Sequence, residues 1–192
     1  MTNLTDGILL YHGSYTEVSK IDIGKCRAGK DFGQGFYVTS SYEQARNFVS
    51  LSISRQIREG NLPVGWSSGY ISVFKLHLTS NKSVHIFSGA DKEWLHFVAS
   101  NRKGDIFTEI SKTYAEFDII GGKIANDRTS RTLQLYISGG YGEPGSQEAD
   151  NIAIMTLLPN RLEDQFCFRS SKSVQMLEFI RSDLYDISIR NT

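Results

Sequence analysis

The sequence predicts an α+β fold, and three observations carry that expectation. Apolar residues recur with a period of two in some segments and with helical spacing in others, without regular βαβ alternation. No internal repeat and no linker rich in Pro, Gly or Ser divides the chain. At 192 residues, against about 150 for an average domain, one domain over 1–192 is large enough to bury its own core.

The elements follow in order. Ile8 to Ser14 reads as a short strand stopped by Gly13-Ser14, and Phe36 to Thr39 as a second strand approached through Gly33-Gln34-Gly35. Ser40 or Ser41 caps a helix running to Glu59, with Tyr42, Ala45, Phe48, Val49 and Ile57 among its periodic apolar positions; Gly60-Asn61 and Pro63 end it. Tyr70 to Leu78 alternates as a half-buried strand, and Lys82 to Phe87 is a shorter one. Asp91 caps a helix containing Trp94, Leu95, Phe97 and Val98. Phe117 to Ile120 is a strand running into a Gly121-Gly122 turn, and Arg131 to Ile137 is helical. Gly139 to Ser146 is a loop, followed by a helix over Gln147 to Leu157. Gln165 to Phe168 is a late strand, and Ser171 to Ile180 a closing helix with Val174 and Leu177 inward.

Composition excludes several classes. The 11% aromatic content and the absence of charge blocks argue against disorder. Twenty-one Lys plus Arg balance 21 Asp plus Glu, so no chain-wide charge points to a nucleic acid or a membrane, although a local basic patch can serve either. No basic region precedes Ile8-Leu9-Leu10 and no run approaches about 20 apolar residues, so a cytoplasmic protein without membrane contact is expected. Cys26 and Cys167 have no CxxC or His at ligand spacing; no metal is expected, and two reduced thiols or a disulfide between them both stay open.

Rossmann and P-loop fingerprints, HExxH, GxSxG and kinase motifs are all absent. What remains is a set of polar residues at strand ends: His12, Tyr37 and the group Glu163-Asp164-Gln165. In this order, with the flanks Leu10-Tyr11-His12-Gly13-Ser14, Lys30-Asp31-Phe32-Gly33-Gln34-Gly35-Phe36-Tyr37-Val38-Thr39 and Asp164-Gln165-Phe166, they resemble the ADP-ribosyltransferase superfamily, in its His-Tyr-[Glu/Gln] branch. Trp94 to Gly104, Asp118 to Gly122 and Ala125-Asn126-Asp127-Arg128 extend the likeness to a bacterial family known as domain of unknown function 3990.

The resemblance implies a core of two small sheets flanked by helices, an NAD cleft between them, and NAD as co-substrate. It implies mono-ADP-ribosyl transfer to a macromolecular acceptor, protein or nucleic acid, and a toxin role with an antitoxin partner. It assigns catalysis to His12, Tyr37 and Gln165, with Glu163 as a further candidate, and NAD contacts to His12, Gly13, Ser14, Asp31, Gly35, Tyr37, Phe48 and Arg128.

The chemistry fits these residue types. Tyr37 can stack on the flat cationic nicotinamide ring, and the bare backbone of Gly13 can approach the carboxamide. Phe48 is the candidate for a second aromatic face, with plain core packing as the other reading. Cleavage of the nicotinamide bond passes through an oxocarbenium-like state, aided by a group on the ribose hydroxyl. Gln165 can accept that hydroxyl but brings no negative charge and no general base. A non-catalytic NAD or ADP-ribose module and an NAD glycohydrolase are therefore alternatives. Glu163 either shares a strand face with Gln165 or lies in a solvated turn. Arg128 or Arg102 suits a diphosphate, unless paired with Asp127 or Asp105. Arg46, Arg55 and Arg58 form either an acceptor patch or a solvated helix face.

Overall fold

The computed structural model describes residues 3–79, 83–123, 127–157 and 163–188, without the side chains of residues 127 and 128. Strands β1 (Leu9–Ser14), β3 (Ser68–Leu76) and β7 (Leu177–Asp186) form an antiparallel sheet in the order β1-β3-β7. Strands β2 (Phe36–Val38), β6 (Asp164–Phe168), β5 (Ile119–Lys123) and β4 (Val84–Ile86) form a second sheet in the order β2-β6-β5-β4, with only the β4–β5 pair parallel. Among the described residues there are six α-helices: α1 (Tyr42–Arg58), α2 (Lys92–Lys103), α3 (Thr108–Thr113), α4 (Asp127–Ile137), α5 (Gln147–Leu157) and α6 (Ser171–Val174). The architecture is α+β with two small sheets, as expected.

Alternation along the strands sorts the core into three parts. Leu10, Phe74, Leu76 and Leu177 of the first sheet meet Phe36, Val38, Ile119, Phe166 and Phe168 of the second. The other face of the first sheet carries α1, whose Ala45, Val49 and Ile53 pack on Ile71. The other face of the second sheet holds Cys167 and Ile120 against Phe32 and the α2 residues Trp94, Leu95, Phe97 and Val98, with Leu133, Tyr136, Ala149 and Ala153 beyond. Each sheet is thus apolar on both faces, one toward the other sheet and one toward helices.

The caps behave as their residue types require. Ser41 accepts a hydrogen bond from Gln44 N (3.1 Å) at the start of α1, and Asp91 accepts one from Trp94 N (2.9 Å) at the start of α2. Gly104, at φ 83°, closes α2 in the left-handed region that glycine tolerates.

Three expectations fail for tertiary reasons. Gly121 and Gly122 lie inside β5, paired with Phe166 and Gln165, rather than in a turn after it. A Cβ there would meet Phe166 and Ile86, or Phe32 and Trp94, within about 3 Å, so both glycines serve close packing. The closing helix stops at Val174, and Leu177 onward forms β7, because β3 offers a full antiparallel edge. β3 is not half-buried either: as the central strand it is covered on both faces, and Ile71 through Phe74 are all buried. Helix α3 is an element that no periodic apolar pattern in the sequence marks. Both cysteines are free thiols, Cys167 buried and Cys26 partly so.

Candidate functional site

Beside their shared core, the two sheets meet edge to edge, among the described residues, where Tyr11 bridges Thr39. In β1 the even-numbered residues bond to β3, as the Leu76 N to Ile8 O bond (3.0 Å) fixes. Tyr11 therefore turns its N–H and C=O to the opposite edge, where both pair with Thr39, just past β2 (2.8 and 3.0 Å). Gly13, two residues on, presents its N–H and C=O on that same outer edge. Continued pairing would set Gly13 opposite Tyr37. Instead the sheets part there, and the His12 side chain takes the vacated carbonyl: its Nδ1–H donates to Tyr37 O at 2.7 Å.

That bond fixes the chemistry of His12. A carbonyl only accepts, so Nδ1 carries the proton and Nε2 of the neutral ring is left as an acceptor. Burial holds the imidazole below its ordinary pKa, and the Tyr37 carbonyl offsets this only in part. The ring rests against Phe36 at 4.5 Å between centroids.

Tyr37 is anchored at its far end. Its hydroxyl donates to Gly33 O (2.7 Å) and accepts from Phe32 N (2.9 Å), in a turn where Gly33 adopts φ 83°. Burial, then the neighbouring Cys167 and Asp31, raises its pKa well above the ordinary tyrosine value. The hydroxyl is thus neutral and occupied; the ring is what remains to contact a ligand.

Gln165 lies on β6 on the same sheet face as Cys167, the partner of Tyr37. It is buried, and its Nε2 donates to Asp31 Oδ2 at 3.3 Å. Asp31 is itself buried and paired with Arg102, whose Nε and Nη2 reach Oδ1 at 2.8 and 2.6 Å. The partner of Arg102 is thus not the surface Asp105, which faces Lys103, but Asp31, buried and 71 positions away. Asn101 ties the same loop by donating to Asp31 O (3.2 Å).

Gly13 and Gly35 have packing reasons of their own. A Cβ on Gly13 would fall 1.9 Å from Ala45 O of α1 and 3.1 Å from Phe48 Cβ; one on Gly35 would fall 2.5 Å from Cys167 Sγ. The first contact also places Phe48, half-buried, directly beside the open edge at Gly13. Ser14 is buried, opposite Tyr70 in the ladder. The side chain of Arg128 lies outside the described residues, as do Ala125 and Asn126.

Glu163 stands one residue before β6 and is exposed, so it does not continue the buried face of Gln165. It is more than a solvated turn, however. The Gln44 amide, with its nitrogen turned inward, shares its two N–H donors among three acceptors within reach, Glu163 Oε2 (3.0 Å), Asp164 O (3.2 Å) and Thr39 Oγ1 (2.6 Å). Burial, then Glu43 and Asp164, raises the Glu163 pKa. No local pattern marks Thr39 and Gln44 as partners of residue 164, because that link exists only once β2 and β6 pair.

Two surface cavities, of ≈ 410 and ≈ 450 Å³, are lined by other residues: Lys103, Phe107, Ile137 and Glu143 among them for the first, and Leu51, Ser54, Arg55 and Arg58 for the second.

Taken together, the molecule is an α+β protein whose two sheets share a core, meet at their edges in the Tyr11–Thr39 bridge and part beside a neutral histidine, an anchored tyrosine and a buried amide. The chain belongs to the DUF3990 family of proteins of unknown function, whose model matches residues 8–179. No curated protein and no solved structure matches it. No helix among the described residues is long and apolar enough to cross a membrane.

Proposed function

We propose that this protein is an NAD-dependent mono-ADP-ribosyltransferase with His12, Tyr37 and Gln165 as its signature residues. The observation that supports this best is the parting of β1 and β2. It leaves the Gly13 backbone groups on an open edge, with Phe48 on one side and Tyr37 on the other. A flat ring carrying a carboxamide meets both its needs there: hydrogen-bonding backbone and an aromatic face.

In this reading His12 Nε2 accepts a ribose hydroxyl, and Gln165 Oε1 accepts the hydroxyl nearest the reacting carbon. Asp31 holds the Gln165 amide by its nitrogen, which directs the oxygen toward the sugar. The bond between C1′ and the nicotinamide nitrogen breaks, and the ring leaves neutral with the bonding electrons. The acceptor's lone pair forms the new bond to C1′, and its proton passes to Glu163 or water. Without a carboxylate at Gln165 the cationic state has less stabilisation, so turnover is expected to be modest. A non-catalytic NAD or ADP-ribose module is the second reading, favoured by the same amide being tied to Asp31. Release of free ADP-ribose alone would identify a glycohydrolase. A bacterial toxin held by an antitoxin and acting in the cytoplasm is the biological setting we propose.

The test is incubation with NAD labelled on the adenylate phosphate, in a lysate, followed by separate protease and nuclease digestion. We expect label in macromolecules with the wild type and none with His12→Ala or Tyr37→Ala. NAD binding without incorporation would overturn the reading in favour of the binding module.

A further inference from the structure

Helix α1 carries Phe48, Leu51, Arg55 and Arg58 at spacings of three, four and three, which places them in one row. The row starts beside Gly13 and runs about 15 Å along the axis to Arg58. Leu51, Ser54, Arg55 and Arg58 line a cavity of ≈ 450 Å³. The loop before β2 brings further cations to this end of the helix. Arg27 forms a bidentate pair with Glu59 (2.7 and 2.8 Å), and Lys30 follows three residues later. Burial, then Arg55, presses the Lys30 ammonium below its ordinary range, with Arg27 and Arg102 adding to the effect and Asp31 opposing it. Asp31 is engaged by Arg102 and Glu59 by Arg27. Lys30, Arg55 and Arg58 make no ion pair within 4 Å among the described residues; Arg55 and Arg58 share the charge of Glu59 with Arg27, and Lys30 shares that of Asp31 with Arg102, so cations outnumber carboxylates at this end of the helix. Tyr15, half-buried, lies alongside α1: its backbone N–H bonds Ser52 Oγ at 3.2 Å, and its side chain packs against the cluster of Ala45, Val49, Ile53 and Ile71.

We infer that the macromolecular acceptor is a single-stranded nucleic acid, its phosphates lying on Lys30, Arg55 and Arg58 and its bases against Tyr15, Leu51 and Phe48. Phe48 and Leu51 lie at the Gly13 end of the row and Arg55 and Arg58 at the other, over about 15 Å, longer than one diphosphate, and a basic track beside an aromatic face is how unpaired strands are held. Lys30 also adjoins Asp31, the residue that positions Gln165, so a strand bound here ends beside the reacting carbon. A base is reachable for chemistry only out of its stack, which accounts for a single strand rather than a duplex. This inference rests on the transferase reading.

The experiment measures fluorescence anisotropy of labelled 12-nucleotide RNA and DNA strands with the full chain, without NAD. NAD binding and label incorporation are followed in parallel. Wild type is expected to bind, and Lys30→Ala/Arg55→Ala/Arg58→Ala to bind at least about tenfold more weakly, with a salt slope reduced by about 2, near 0.7 per lost cation. Arg55→Lys/Arg58→Lys retains most of the affinity, and NAD binding is unchanged throughout. Strand binding indifferent to the triple variant, or absent in wild type, overturns the inference. So does loss of NAD binding in that variant, which would give the cluster to the dinucleotide's own phosphates, and so does label found only in protein. Strand binding at the cluster with no transfer to any acceptor would instead remove the transferase reading, and the acceptor role with it.

Discussion

Asp31 shows how much one side chain can organise. It is a buried carboxylate whose charge is met by Arg102 and whose second oxygen receives Gln165. Replacing Arg102 by Ala removes the guanidinium that faces that charge, and loss of one partner of a buried pair costs about 3–5 kcal/mol. We expect Arg102→Ala to lower the urea midpoint by that measure and Asp31→Asn/Arg102→Ala to recover a clear part of it. An unchanged midpoint in the single variant would mean that Asp31 is solvated in solution. The neighbouring Phe32-Gly33 turn clamps the Tyr37 hydroxyl, so the same loop positions both the aromatic ring and the amide of the candidate site.

Among the elements, the contact of α1 with β1 is the most constrained. Ala45 O occupies the space where a side chain on residue 13 would start, 1.9 Å from an ideal Cβ. Gly13→Ala must push α1 off the sheet, carrying Phe48 and Ala45 with it. We expect at least about 2 kcal/mol of lost stability, at the upper end of ordinary overpacking, read from the urea midpoint. A substitution tolerated without loss would show that α1 packs further out than described. β7 teaches a different lesson. Its Leu177 to Asp186 segment exposes Ile180 and Leu184, so the residues alone did not set it apart from a helix. Pairing with β3 decides its form.

At the scale of the whole molecule, the buried titratable groups bound the pH range of stability. His12 and His85 are both held below the ordinary value of 6.5, chiefly by burial. Their lowered folded pKa means that the unfolded chain takes up protons first, so this stability is complete above about pH 6.5 and is lost on acidification. Burial pushes the Cys167 thiol up to about 12 and raises Tyr37, Tyr114 and Tyr136, the last two also through Glu93 and Asp150. For these groups the unfolded chain ionises first as pH rises, near 9 for the thiol and 10 for the phenols. Urea midpoints are therefore expected to be flat between about pH 6.5 and 9 and to fall on both sides. His12→Ala should flatten the acid limb; an acid limb as steep as that of wild type would exclude His12 as a contributor.

The strands up to β6, the cap at Asp91, the cap of α1 to within Ser40 or Ser41, and which residues to suspect can all be read from the sequence alone. Those properties live in local pattern: periodicity, a capping side chain, a glycine after the last turn. It also brought His12, Tyr37 and Gln165 into view through their flanks. Only the tertiary structure decided that Gly121 and Gly122 belong inside a strand, that the last segment is β7, and that Arg102 answers Asp31. It alone decided where the sheets part, because that depends on edges that meet between residues 11 and 39 and then separate at 13 and 37. Such choices turn on the space and hydrogen-bonding edge offered by distant residues, a quantity that no local window of sequence contains.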